Sequence, residues 1–115
     1  MKSGMMFNQG EIVIVPFPFS DLSSIKQRPV LVLSNNSYNS SSDDIITCGI
    51  TSNIKDAKSS ILITNKDIES GFIPVESRIK VDKLFTLEKS IIKKKIAKIK
   101  FYIIEQVKEE FLRLI

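Results

Sequence analysis

The sequence predicts a mainly β protein that closes with one C-terminal helix. The apolar runs are short and rich in Ile and Val, turn-forming residues separate them, and only the last segment has helical spacing. The connections are too short for the crossover helices of a parallel sheet, which favours a small, strongly bent, antiparallel sheet. With 115 residues, 43% of them hydrophobic and 26% charged, the chain is expected to form one domain over residues 1–115.

Six strands are predicted where the apolar runs occur, at 11–15, 30–33, 44–51, 61–64, 78–87 and 96–99. The first is expected to stop at Pro16, because proline cannot donate to a strand ladder, and Pro29 is expected to open the second. The Ser-rich stretch 35–42 is predicted to be an irregular surface connection. The last segment has the spacing of one helix face at Ile104, Val107, Phe111 and Ile115.

Positive charge is concentrated in residues 78–100, which hold nine Lys or Arg against two acidic residues, a local charge of +7. Such a segment indicates an anionic partner. The single cysteine, Cys48, excludes an internal disulfide and a cysteine-rich zinc site, which favours a reducing, cytoplasmic location. No run resembles a signal peptide or approaches the ~18 apolar residues of a membrane span, so no membrane association is expected.

Four blocks of sequence together point to a known family: GEIVIVPFPFSDL, QRPVLVLSN, IITCGITSN and RIKVDKLFTLEKSII. In this order and spacing they resemble the MazF/PemK family of toxin endoribonucleases over roughly residues 10–112. The resemblance implies a small SH3-like barrel of the PemK/CcdB type that forms a homodimer and cleaves single-stranded RNA, sequence-selectively and without a metal or cofactor. It also implies an acidic antitoxin as inhibitor, with operator DNA bound only through that antitoxin.

Arg28 matches the catalytic arginine of the family. In RNA cleavage of this kind the ribose 2′-OH attacks its own 3′ phosphate, leaving a 2′,3′-cyclic phosphate and a 5′-OH. A guanidinium can donate two parallel hydrogen bonds to a phosphate and neutralise its charge. Pro29 fixes φ beside it, so the side chain is expected to project from a stiff strand end. The alternative is a surface charge that caps a strand.

Two more residues match family positions with a catalytic role. The hydroxyl of Thr51 can donate to a phosphoryl oxygen, although threonine is also simply a good strand former. Asp82 lies where some members carry a carboxylate assigned to proton abstraction, and at strand spacing it shares a face with Lys80, with an ordinary ion pair as the alternative. The chain has no histidine, and arginine is a poor general base, so Arg28 is assigned electrostatic stabilisation.

Candidates for RNA binding flank these positions or carry charge: Phe17, Phe19, Lys26, Ser52, Asn53, Arg78 and Lys80. Phe17 and Phe19 can stack on bases, or they can form an apolar corner of the first loop. Two other functions stay open: a non-enzymatic toxin of the same fold that binds DNA gyrase, and a non-cleaving RNA-binding or antitoxin-binding relic. The presence of both Arg28 and Thr51 favours the enzyme.

The closing helix carries more apolar residues than one helix stripe requires. A barrel of this size has limited room for them. Part of that surface, with the segment 84–87, is therefore expected to form the seam of a symmetric dimer.

Overall fold

The structure is a computed structural model that describes residues 5–18 and 25–115, apart from the side chains of residues 17, 18 and 25. Its strands are β1 (Glu11–Pro18), β2 (Ile25–Val32), β3 (Asp44–Thr51), β4 (Ser60–Ile63), β5 (Ile68–Gly71), β6 (Ser77–Glu88) and β7 (Lys94–Ile99). Its α-helices are α1 (Asn36–Ser41) and α2 (Phe101–Leu112), and short 3-10 helices span Asn65–Asp67 and Lys89–Ile91. No helix in this described part is long and apolar enough to cross a membrane.

The seven strands form one antiparallel sheet in the order β4-β6-β3-β2-β1-β7-β5. Strands β4 and β5 are its opposite edges, yet only residues 64–67 connect them in the chain. Two hydrogen bonds also join the connection between β4 and β5 to the residues that follow β5. The Asn65 side chain accepts from the Ile73 N–H at 2.8 Å and donates to the Ile73 carbonyl at 2.9 Å. The sheet must curl to bring its edges so close, so it forms a partly closed barrel. The predicted mainly β class with a closing helix is confirmed.

Apolar side chains are buried on both faces of the sheet. One face holds the main core, to which all seven strands contribute and which α2 covers with Ile103 and Val107. Cys48 is part of this core, and burial raises the pKa of its thiol to about 12. The other face holds a smaller cluster built on alternate residues of β1 and β2, with Phe7 and Ile92 packed against it. Apolar side chains therefore pack on both faces of the central strands.

The Ser-rich stretch 35–42 contains helix α1, so the predicted irregular connection is wrong. The Asn35 side chain caps this helix by accepting from the Tyr38 N–H at 2.8 Å. Asn39 is buried, and its amide donates to the carbonyls of Phe7 and Ser34, both at 3.0 Å. Polar contacts rather than an apolar stripe fix this six-residue helix, so hydrophobic periodicity gives no sign of it.

Both expectations about prolines at strand ends are also wrong. Strand β1 continues past Pro16 to its end at residue 18, and β2 begins well before Pro29. Pairing of β1 with β7 ends at Ile14, and β2 pairs with β3 only over Val30–Val32. Each proline therefore lies where one neighbouring strand has ended, and its missing N–H costs no ladder bond there. The sequence also misses β5, a four-residue edge strand without alternating polarity.

Candidate functional site

Strands β2, β3 and β6 line a cleft of about 210 Å³ beside the smaller core. Val30 pairs with Gly49, and Gly49 pairs with Lys80, so these three positions lie in a row across the sheet. Arg28 and Thr51 each lie two residues further along in the same direction, on the same face. The register therefore brings Arg28 and Thr51 into one cleft, whose lining among the described residues is Arg28, Pro29, Val30, Gly49, Ile50, Thr51, Asp56, Lys80, Lys83 and Phe85.

Arg28 is exposed at the end of β2 that extends past β3. Its backbone pairs with the buried Val15 of β1, and the next residue, Pro29, pairs with Ile14. The backbone of Arg28 is thus held by an ordered ladder, and the residue lines the cleft. A permanent cation on a stiff support is suited to contact an anionic ligand.

The Thr51 hydroxyl already has one partner within the protein. Its Oγ1 accepts the backbone N–H of Asn53 at 3.0 Å. Accepting this bond orients the oxygen and leaves the hydroxyl hydrogen available as a donor. Thr51 also pairs with Arg78 of β6, so its backbone is fixed by the sheet. The side chain is therefore a positioned donor at the end of β3.

Strand β6 is irregular beside the cleft. Gly49 pairs with Lys80, but Cys48 pairs with Leu84, so residues 81–83 have no partners on β3 and form a bulge. Bulges commonly re-aim side chains next to functional sites. Lys83 of this bulge lines the cleft, whereas Asp82 does not. The Asp82 carboxylate lies 3.8 Å from the Lys80 ammonium, so the two predicted neighbours do share one side of the strand.

The Lys80 side chain is only 6% exposed, and its ammonium has two closer partners than Asp82. It donates to the Asp56 carboxylate at 3.0 Å and to the Lys58 carbonyl at 2.5 Å. Burying an ammonium is costly unless it is paired in this way. The geometry therefore directs Lys80 toward the β3–β4 connection. Arg78 does the same, donating through Nε to the Ile54 carbonyl at 2.5 Å.

The other predicted binding residues have different positions. Ser52 and Asn53 are exposed directly after Thr51. Lys26 is exposed on β2, opposite Phe17 of β1. The side chain of Phe17 and all of Phe19 lie outside the described residues.

Sequence reasoning missed the charged and aromatic residues Asp56, Lys83 and Phe85, which line the cleft. Lys83 and Phe85 fall inside the basic segment 78–100, so charge patterning indicated their neighbourhood. Asp56 gave no signal, because it lies in a polar connection and its ion pair with Lys80 joins residues 24 apart in sequence. Only the tertiary structure brings this carboxylate into the cleft.

The described part of the chain has a second cleft and no cluster of metal-binding side chains. A larger cleft of about 580 Å³ lies near the 3-10 helix at 89–91. None of the predicted site residues whose side chains the structure describes lines it; its lining is Met5, Phe7, Asp43, Glu88, Lys89, Ser90 and Ile92. Over residues 5–18 and 25–115, no three His, Cys, Asp or Glu side chains gather in a way that could hold a metal ion.

The fold and the cleft define a small antiparallel barrel protein in which an arginine and an oriented hydroxyl line one cleft. The family model described as "PemK-like, MazF-like toxin of type II toxin-antitoxin system" matches residues 8–115. The chain belongs to this family of toxins, as its sequence blocks predicted. Among curated proteins, no sequence matches the chain.

Several solved structures share the fold at low sequence identity. MazF in the MazE-MazF complex (Form-III) from Deinococcus radiodurans is 20% identical, with a TM-score of 0.77 over 96% of each chain. An endoribonuclease in complex with its cognate antitoxin from a Mycobacterial species is 16% identical, with a TM-score of 0.73 over 92% of this chain and 91% of that one. The Mycobacterium tuberculosis toxin MazF-mt6 is 16% identical, with a TM-score of 0.72 over 90% and 93%.

Proposed function

We propose that this toxin is a sequence-selective endoribonuclease that cleaves single-stranded RNA without a metal ion. The observation that carries the proposal is the meeting of Arg28 and Thr51 in one cleft on neighbouring strands. Membership of the PemK-like, MazF-like family supports it, as do relatives of the same fold whose names call them endoribonucleases. The alternative of a gyrase-binding toxin has no comparable observation in its favour.

The proposed reaction is an internal transfer. The 2′-oxygen forms a bond to phosphorus, the bond from phosphorus to the 5′-oxygen breaks, the 2′-OH proton leaves, and the departing 5′-oxygen takes up a proton. The products are a 2′,3′-cyclic phosphate and a 5′-OH. Because the substrate supplies the nucleophile, the protein has to hold the groups in line, stabilise charge and move two protons.

Arg28 and Thr51 share the task of stabilising charge. Arg28 is exposed and lines the cleft, and a guanidinium can donate two hydrogen bonds to the non-bridging phosphoryl oxygens. The Thr51 oxygen accepts the Asn53 N–H, and its hydroxyl hydrogen is donated to the same phosphate. Lys83 adds a second cation to the lining. Donors that are fixed before the substrate arrives stabilise the transition state at little cost in reorganisation.

Asp82 is proposed to accept the 2′-OH proton. Its carboxylate lies 3.8 Å from Lys80, beside the cleft, in a bulge that can direct it toward bound RNA. A base must come within hydrogen-bond reach of the proton it takes, directly or through one water. Asp56 is another carboxylate at the cleft, but the Lys80 ammonium donates to it at 3.0 Å.

RNA on either side of the cut is proposed to contact Lys26, Ser52 and Asn53, which are exposed near the cleft residues. The bases flanking the cut would be read by loop contacts, which is the usual mode for single-stranded RNA. Phe17 and Phe19 stay proposed as stacking residues.

The proposed partners follow from charge and apolar surface. An acidic antitoxin would bind the basic segment 78–100, and any operator DNA would be bound through that antitoxin. Two structural relatives are described in complex with an antitoxin or with MazE. A homodimer is proposed because Phe101 and Leu112 of α2, and Ile115 after it, are largely exposed. The toxin would act in the cytoplasm, which suits a chain with one cysteine.

The proposal is tested by incubating purified protein with a mixed-sequence RNA, sequencing the products and analysing their ends. Cuts at a defined short sequence with 2′,3′-cyclic phosphate ends support it. Products with 5′-phosphate ends would contradict the mechanism, and intact RNA would contradict the activity.

A further inference from the structure

Residues 52–59 form the connection between β3 and β4, called here the 52–59 loop. It begins directly after Thr51 and brings Asp56 into the cleft. Hydrogen bonds within it are local: the Lys55 N–H donates to the Asn53 side chain at 3.2 Å, and the Asp56 N–H donates to the Asn53 carbonyl at 3.1 Å. Residues 52–58 are all exposed, so little apolar packing holds the loop in place.

Two cationic side chains of β6 donate hydrogen bonds to this exposed loop. Lys80 donates to the Asp56 carboxylate and to the Lys58 carbonyl. Arg78 donates to the Ile54 carbonyl and, through Nη1, to the Ser60 hydroxyl at 3.1 Å. These contacts fall at residues 54, 56 and 58 of the loop and at residue 60, the first residue of β4, so they hold the loop at several points. Both cations thus donate hydrogen bonds to acceptors of the loop, and these donors could otherwise contact a phosphate.

The burial of Lys80 distinguishes it from the other cleft cations. Its side chain is 6% exposed, against 46% for its partner Asp56, and both Arg28 and Lys83 are exposed. An ammonium this deep depends on Asp56 and the Lys58 carbonyl for stabilisation. In turn, Lys80 neutralises a carboxylate that lines the cleft beside Arg28. Without Lys80, the Asp56 charge would repel an incoming phosphate and compete for the guanidinium.

We propose that Lys80 is a positioning residue that clamps the 52–59 loop through Asp56 and the Lys58 carbonyl, assisted by Arg78 through the Ile54 carbonyl, and so keeps Thr51 oriented and the cleft electropositive. This inference rests on the proposed RNA cleavage for its effect on catalysis, but the clamp itself concerns only the loop. Lys80 is therefore not expected to bind RNA directly.

Trypsin gives a readout of the clamp that does not involve RNA. Lys55 and Lys58 lie in the loop, and Lys80→Met leaves their sequence surroundings unchanged. Loss of charged hydrogen bonds should raise the rate of cleavage after these residues about tenfold or more. Lys80→Arg should keep most of the protection, and Lys66→Met, an exposed charge loss elsewhere, should behave as wild type. Equal rates for Lys80→Met and Lys66→Met would overturn the clamp.

The electrostatic part of the proposal is tested by combining substitutions. Lys80→Met should weaken binding of a random-sequence, 2′-O-methylated RNA pool and raise KM for cleavage about tenfold. Adding Asp56→Asn to Lys80→Met should recover much of that loss, because the unpaired carboxylate is gone. A purely structural role for Lys80 predicts no such recovery. No recovery would therefore overturn the electrostatic role.

Two further outcomes are separable. If Lys80→Met does not fold, Asp56→Asn alone is scored by cleavage at the unchanged bond after Lys58; a rise of several-fold supports the clamp, and no rise contradicts it. If the wild-type protein cuts no RNA, the proposed function fails, while the trypsin comparison still decides the clamp. If wild-type RNA cleavage is seen but the loop rates do not differ, the clamp alone fails.

Discussion

The Thr51 hydroxyl oxygen accepts the backbone N–H of Asn53 at 3.0 Å, which leaves its own hydrogen free to be donated into the cleft that Arg28 shares. This relationship turns a strand-forming residue into an oriented donor. It also joins the end of β3 to the start of the 52–59 loop. Loop order and hydroxyl orientation are therefore linked at one residue.

Thr51→Val keeps the shape of the side chain and removes the donor. We expect kcat for RNA cleavage to fall by about 10²-fold, the scale on which loss of one charge-stabilising donor acts, with a smaller change in KM. Thr51→Ser keeps the hydroxyl and should retain much of the activity. Single-turnover cleavage of an RNA with a mapped cut site measures both. Equal activity of the Val and Ser variants would show that the hydroxyl takes no part.

Arg28→Ala should lower kcat by about 10²-fold or more, because it removes the permanent cation from the cleft. Arg28→Lys should have a kcat between those of wild type and Arg28→Ala, because an ammonium keeps the charge but lacks the planar fork of a guanidinium. The comparison variant is Lys94→Ala, an exposed charge on β7, which should mainly weaken binding and reduce its salt dependence. Normal cleavage by Arg28→Ala would place the site elsewhere.

Cys48 predicts how stability depends on pH. Below pH 9 its thiol is protonated in the folded and unfolded chains alike. Between pH 9 and about 12 the unfolded thiol ionises while burial keeps the folded one neutral, so the free energy of unfolding falls by about 1.4 kcal/mol per pH unit. Chemical denaturation should therefore show a steeper decline above pH 9 for wild type than for Cys48→Ala. Parallel declines would contradict the buried thiol.

The proposed dimer depends on the exposed apolar end of α2. We expect sedimentation equilibrium to give twice the chain mass of 13.0 kDa for wild type. Leu112→Lys should shift the protein toward monomer, because the leucine is 66% exposed and its substitution leaves the core intact. Gln106→Lys adds the same charge to an exposed polar position of α2 and should stay dimeric. A wild-type monomer at micromolar concentration would refute the dimer.

Much of the fold could be predicted because its strands carry a strong pattern. Strand β3 has the predicted bounds, residues 44–51, since Ile45, Thr47 and Ile50 are buried and the strand pairs with neighbours on both sides. Helix α1 could not be predicted, because the buried amide of Asn39 and the cap at Asn35 stabilise it, and neither leaves an apolar period.

The candidate site likewise contains residues that the sequence predicts and one that it does not. Arg28 and Thr51 were identified through local sequence blocks, and the strand register brings them together. The partner of Lys80 was not identified, because Asp56 reaches it only through folding of an exposed loop. A basic segment read from sequence does not tell which cations face solvent and which hold the protein together.

The most direct test of the account uses one mapped RNA substrate and its counterpart with a single 2′-deoxy residue at the cut, each incubated with the protein in EDTA. The all-ribose substrate should be cleaved to 2′,3′-cyclic phosphate and 5′-OH ends, and the 2′-deoxy substrate should stay intact. Cleavage of the 2′-deoxy substrate, or loss of all cleavage in EDTA, would contradict it.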